Sequence, residues 1–386
     1  MKTLKISLVT ALALSAFSVS LSADTLEEAL KNGKVSGDVS ITYESRKQDK
    51  EISAYYSDTA YSVGSIGLNY KSAQFYNFSV NLGVRGYKTI FEDDKNFRTN
   101  HGKGDASERF YKDGKNKSVD FETAYLAYDL ENLHIKAGRQ FISTEWINKT
   151  QDAISLYYDL KNTNIEAIWT NRHGRVYARD YRPMTEVNKG NGGLYKLGIT
   201  HNLTNSFAIK AYGLTAPSLK DIYGGKITYK SSINEVKFGS MIHYASTNED
   251  EKNVEDSNIL ELKAFASLGG YTATLGYVQI DKDAAFNHIA GETIIPFEEG
   301  DQMFLKDAKT TYAMLSKSFG DVSLTALYGI TDYENKYDKD EFNLWVDYKV
   351  NKNLTLNLGY ALTNEDSKDA NTTDLNQLNA TLVYSF

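Results

Sequence analysis

The chain has 386 residues, a formal charge of −7, no Cys, 28 Tyr, 17 Phe and only 3 Pro. The missing Cys excludes disulfides, thiolate catalysis and Cys-based metal sites, and the acidic balance argues against nucleic acid, which calls for a basic face. A Tyr-rich, Pro-poor chain suits long sheets, and Tyr suits membrane interfaces.

Residues 1–23 read as a secretory signal peptide. Lys2 and Lys5 give a basic start, Ile6 to Val19 an apolar run, and Ser20-Leu21-Ser22-Ala23 a cleavage region before Asp24. That run is shorter than the ~20 residues of a spanning helix, which speaks against a retained anchor. Residues 24–33 read as a short helix, with Asp24 or Thr25 as cap, Glu27 and Glu28 in the first turn and Gly33 as the stop. We expect a leader packed at a barrel mouth, with a plug or periplasmic tether as the alternative.

From residue 34 to 386, period-two alternation runs nearly throughout. Phe78, Val80, Leu82 and Val84 alternate with Ser79, Asn81, Gly83 and Arg85. Leu354, Leu356, Leu358, Tyr360 and Leu362 alternate with Thr355, Asn357, Gly359 and Thr363. A tilted barrel strand needs such a segment over about 9–11 residues. The mean hydropathy of −0.46 fits a barrel as well as a soluble exported protein, because barrel strands never form apolar runs.

Short polar turns are expected near 72–77, 132, 161–164, 204–205, 231–234, 268–270, 320–321 and 351–353. Longer charged segments lie near 48–60, 89–117, 143–152, 173–191, 215–220, 246–257, 281–309, 335–339 and 367–372. Pro183, Pro217 and Pro296 all fall in these longer segments, where a missing N–H breaks no ladder. Short and long connections alternate strictly. The fold class is therefore all-β, an antiparallel transmembrane β-barrel of about eighteen strands, with about sixteen as the alternative, short periplasmic turns and long extracellular loops. The last strand alternates Leu378, Ala380, Leu382 and Tyr384 with polar residues and ends on Phe386. That pattern resembles the signal read by the barrel-assembly machinery.

The stretch Thr25-Leu26-Glu27-Glu28-Ala29-Leu30-Lys31-Asn32-Gly33-Lys34-Val35-Ser36-Gly37 is similar to the mature start of Opr-family porins of campylobacter-like proteobacteria. Ala137-Gly138-Arg139-Gln140, before a segment ending near Asp152-Ala153, also looks like that family, although the Trp146 stretch lacks an expected Pro. The resemblance implies an outer-membrane porin, often trimeric, with monomer as the alternative, and a constriction loop near 143–152 folded inward. Related OprD-type channels pass basic amino acids or carboxylates through arginine-lined lumens.

A barrel of that size leaves an aqueous channel whose lining charge sets selectivity. All nine arginines lie between Arg46 and Arg182. Strand parity turns Arg46, Arg85 and Arg172 inward, the last with Glu166 and Thr170. Arg139 falls on the lipid face with Leu133, Ile135 and Ala137, where a charge is expensive, unless a bulge or the rim turns it. Arg175, Arg179 and Arg182 belong to the loop after the seventh strand. Asp120, Glu122, Glu145 and Asp152 are candidate acids at the same level, giving an arginine wall opposite a carboxylate-bearing loop. The competing expectation is that these arginines merely pair with neighbours. The later acids, among them Asp281, Asp283, Glu292, Glu298, Glu299 and Asp301, read as a solvated surface.

Asp120, Glu122 and Asp152 could bind a structural Ca²⁺, although no calcium-binding spacing is present. No other cofactor is expected. There is no G-x-S-x-G or H-E-x-x-H, and His101, His134, His173, His201, His243 and His288 are scattered, which argues against an enzyme. The expected function is passive diffusion of small hydrophilic solutes and ions. The alternatives are a substrate-selective OprD-like channel, or an adhesin or receptor displaying the outer loops. The expected partners are outer-membrane lipid and lipopolysaccharide.

Overall fold

The computed structural model describes residues 23–49, 58–99, 101–112, 118–190, 192–334, 337–366 and 374–386. The expected signal peptide therefore lies outside the described residues, apart from Ala23. No described helix is long and apolar enough to cross a membrane. Eighteen strands form a closed wall.

The first nine strands are β1 (Lys34–Gln48), β2 (Thr59–Lys71), β3 (Phe78–Glu92), β4 (Val119–Leu130), β5 (Leu133–Thr144), β6 (Ile147–Leu160), β7 (Thr163–Val176), β8 (Leu194–Asn202) and β9 (Phe207–Ala216). The remaining nine are β10 (Lys220–Ile233), β11 (Val236–Glu249), β12 (Asn258–Leu268), β13 (Tyr271–Ile280), β14 (Lys309–Phe319), β15 (Val322–Tyr333), β16 (Tyr337–Lys349), β17 (Leu354–Asp366) and β18 (Leu375–Ser385). Neighbours pair antiparallel, and β1 pairs with β18 from Asp38↔Ser385 to Gln48↔Leu375, which closes the ladder between the first and last strands.

Alternation places polar side chains inside and apolar ones outside. On β1, Ser40, Thr42, Glu44 and Arg46 are buried in the lumen, while Val39, Ile41 and Tyr43 are exposed on the outer face. The alternation of tight turns and longer connections breaks at the β5–β6 hairpin, whose turn is as tight as its neighbours on either side, and the expected segment 367–372 lies outside the described residues. The tight turns define the periplasmic end, as in outer-membrane barrels.

Two segments read as loops are strands instead. Residues 143–152 belong to a β5–β6 hairpin joined by a two-residue turn, Glu145-Trp146, with Thr144 paired to Ile147. Beyond β7, a short strand, Tyr181–Glu186, pairs back on it and holds Pro183 within a register shift. This Pro thus lies in a strand, at the kind of irregularity where the ladder tolerates it.

These strands form a flap that leaves the wall. The β4–β5 pairing stops at Ala124↔Arg139, and the β7–β8 pairing stops at Thr170↔Leu194. Above that line β5, β6, β7 and the short strand leave the wall and form ladders with one another, touched by isolated bridges from Phe110 to Tyr181 and from Ala290 to Ile147, and the hairpin tip crosses the lumen to the inner faces of β8–β11. Gly138 sits at the line with φ +125°, a conformation that L side chains rarely adopt. A register shift between Asp152 and Ala153 opposite β7 completes the bend.

The long connection 281–308 enters from the other side. It meets the flap through an Ile147–Ala290 bridge and an Asn148 N–H donated to the Ala290 carbonyl at 2.9 Å. Apolar packing where it meets the flap tip joins Trp146, Ile147, Leu214, Ile222, Phe286, Ile294 and Met303.

The N-terminal helix α1 (Leu26–Lys31) is capped by the Thr25 hydroxyl, which accepts from the Glu28 N–H at 3.1 Å. Tyr70 shares the outward face of β2 with Ile66 and Leu68, and its hydroxyl donates to the Leu30 carbonyl at 2.6 Å. The helix is therefore held at the periplasmic rim beside β2.

Candidate functional site

The hairpin tip is the centre of the lumen's chemistry. Glu145 receives Lys196 at 2.8 Å, Lys210 at 2.6 Å and Lys226 at 2.9 Å. These lysines come from β8, β9 and β10, where the outward neighbours Leu197, Ile209 and Ile227 place them on the inner face. Glu166 of β7 binds Lys196 and Lys210, each at 2.8 Å. Burial opposes ionisation of Glu145, but Lys196, Lys226 and Lys210 outweigh it and hold its carboxyl well below the usual carboxylate range.

Trp146, fully buried, anchors the same tip. Its indole N–H donates to the Tyr212 hydroxyl at 2.9 Å, and its ring packs against Phe286 of the 281–308 connection at 4.7 Å between centroids. The Tyr212 hydroxyl lies 2.7 Å from His243 Nε2.

A second network lies toward the extracellular end. Arg46 donates to Glu108 at 3.1 Å and to Glu299 at 2.7 Å. Arg109 reaches Glu44 at 3.2 Å and both Glu298 and Glu299 at 3.3 Å. Arg179 also binds Glu298. Burial again opposes ionisation of Glu298, but Arg179 and Arg109 lower its pKa to about 2. Glu292 is lowered to about 2 as well: burial raises it, and Lys149 and His288 outweigh that. Glu292, Glu298 and Glu299, expected on a solvated surface, are thus drawn into the barrel because each meets buried cations.

The other candidates fall into place one by one. Arg85 is 1% exposed and donates to Asp38 at 2.8 and 2.6 Å, to Ser65 at 3.0 Å and to Glu122 at 3.0 Å. Arg139 sits where the flap leaves β4. It donates to Asp152 at 2.7 and 3.1 Å and to Asp120 at 2.8 Å, so its charge is matched rather than set in lipid.

Arg172 departs from its expected place. The register shift pairs Ala153 with Thr170 but Asp152 with Arg172, so one extra residue, Asn171, turns Arg172 away from Glu166 and Thr170. Its guanidinium donates to the Met184 carbonyl at 2.8 Å and its side chain remains 46% exposed. Arg175 donates to Asp180 at 2.7 Å.

The carboxylates considered for Ca²⁺ do not converge. Asp120 and Asp152 share Arg139, and Glu122 is held by Arg85. Among the described residues, no group of three or more His, Cys, Asp or Glu is placed to hold a metal ion. The arginines face acids of the wall and of the extracellular connections, whereas the tip carboxylate of the hairpin faces lysines. Lys196, Lys210, Lys226, Arg109 and Arg179 are the main residues that the candidate set lacked.

Comparisons agree with this architecture. OccAB4 of Acinetobacter baumannii superposes with a TM-score of 0.76 at 14% identity, covering 92% of this chain and 98% of its own. OccK9 (OpdG) of Pseudomonas aeruginosa gives 0.76 at 13% identity, covering 93% and 99%. OpdK of the same species, crystallised with vanillate, gives 0.70 at 10%, covering 91% and 98%. No curated protein matches in sequence. The family profile of the Campylobacter major outer membrane protein matches residues 1–245. The chain belongs to the Campylobacter major outer membrane protein family and is a porin of the outer membrane.

Proposed function

We propose that this porin sorts small hydrophilic solutes by charge where the tip of the β5–β6 hairpin meets β8–β10. The observation that carries this reading is one carboxylate, Glu145, shared among Lys196, Lys210 and Lys226 at 2.6–2.9 Å. Three ammonium groups stand there against the carboxylates of Glu145 and Glu166. In a confined, poorly screened space the excess positive charge attracts small anions and repels cations. A solute carboxylate can take the place of Glu145 on one lysine while the other two keep the hairpin in position. The fold shared with a channel crystallised with vanillate, an aromatic carboxylate, is in keeping with this chemistry.

Assembly as a homotrimer, and recognition of the exposed Phe386 by the barrel-assembly machinery, belong to the same proposal. The test of charge sorting is swelling of liposomes carrying the refolded porin. Lys210→Gln with Lys226→Gln should slow entry of small monocarboxylates relative to an uncharged sugar of similar size. An unchanged ratio would remove the lysines from the selectivity account.

A further inference from the structure

We infer that α1 is an interfacial foot, a short amphipathic helix set into the periplasmic leaflet of the outer membrane beside the barrel. Three observations place it there. The first is its support. Tyr70 lies on the lipid-facing side of β2 and donates to the Leu30 carbonyl, and a side chain at Gly33 would collide with the Tyr70 ring. The Ala73 N–H donates to the Ala29 carbonyl at 3.0 Å, so the turn after β2 holds the helix from behind. Ala29 faces the barrel and is 1% exposed.

The second observation is the helix's own division into faces. Leu26 and Leu30 stand one turn apart and are 58% and 48% exposed. Glu27 and Lys31 pair at 2.6 Å on another side, with both side chains largely exposed. Apolar and charged sides on one short helix suit a water–lipid boundary.

The third is continuity with an interface already present. Val35 is paired with Tyr70, and Val39 and Ile41 continue its face up β1. Tyr384 and Phe386 are exposed on β18 next to β1, and Tyr76 and Phe78 on the turn after β2 and the start of β3. This is the aromatic belt expected at headgroup level. The leucines of α1 extend the belt, and the matching occupant is the headgroup–acyl boundary of phospholipid.

The chain has no Cys, so single labels are unambiguous. Leu30→Cys and Glu28→Cys would each carry an environment-sensitive fluorophore, in protein refolded into vesicles of phosphatidylethanolamine and phosphatidylglycerol. Heat-modifiable migration would verify folding. The label at position 30 should be blue-shifted, quenched by nitroxides high on the acyl chain and several-fold less accessible to aqueous iodide than the label at 28. Equal iodide quenching at the two positions would overturn the assignment. So would shielding at position 30 that disappears in nanodiscs holding a single barrel, since a second copy would then be the cover.

Discussion

Trp146 at the hairpin tip and Tyr212 on the wall are joined by one hydrogen bond, from the indole N–H to the phenol oxygen, at 2.9 Å. The same phenol oxygen lies 2.7 Å from His243 Nε2, so it links the indole to the imidazole. Trp146 has φ +62°, a region that a bulky L residue enters only when its surroundings support it. The socket of Tyr212, His243 and Phe286 supplies that support. The hairpin is therefore docked by an anchor as well as by charge.

Trp146→Ala should release the tip. Truncating a buried Trp typically costs about 3–5 kcal/mol. We expect a larger and noisier single-channel conductance together with earlier thermal unfolding in detergent. Unchanged conductance and stability would mean that the socket does not position the hairpin.

Arg85→Ala should act on stability rather than on selectivity. Its guanidinium is consumed by Asp38, Ser65 and Glu122, and removal would strand two carboxylates. Breaking a buried pair costs about 3–5 kcal/mol. Urea unfolding should show the loss, whereas a changed ion preference in correctly folded protein would contradict this assignment.

The ion pairs that Glu298 and Glu292 make in the 281–308 connection should tolerate acid. Glu298 has a pKa near 2, below the ordinary value, so its contribution is complete above the ordinary carboxylate range and is lost as pH falls through about 2. Glu292 behaves in the same way. The contacts of Arg109, Arg179 and Lys149 with these two carboxylates should persist from neutral pH to about 4. Release already near pH 5, followed as new protease cleavage within 281–308, would show that these ion pairs do not hold it.

Gly138→Val should impair assembly of the flap. At φ +125° the backbone disfavours any side chain, and a Cβ there would meet the Ala124 carbonyl oxygen. Strain of this kind costs about 1–3 kcal/mol before the clash is added. Refolding yield should fall, and yield equal to wild type would place the hinge elsewhere.

Most of the wall was legible because lipid imposes alternation: Arg46 and Arg85 point inward as parity requires. The flap was hidden for the same reason in reverse. Ile147, Asn148, Thr150 and Gln151 are all buried inside the barrel, so no lipid-facing set marks residues 143–152 as strand. Arg172 was misplaced by one extra residue, Asn171, which parity cannot see. Lys196, Lys210 and Lys226 were individually readable as inward. Their convergence was not, since it depends on a hairpin arriving from two to five strands away around the wall.

Charge sorting at the hairpin tip is read out by the reversal potential across a planar bilayer under a salt gradient. Glu145→Gln removes an acid from the lysines, and Lys226→Gln removes a base from the same cluster. The first variant should shift the reversal potential toward anion preference and the second toward cation preference, relative to wild type. Shifts in the same direction, or none in either variant, would contradict it.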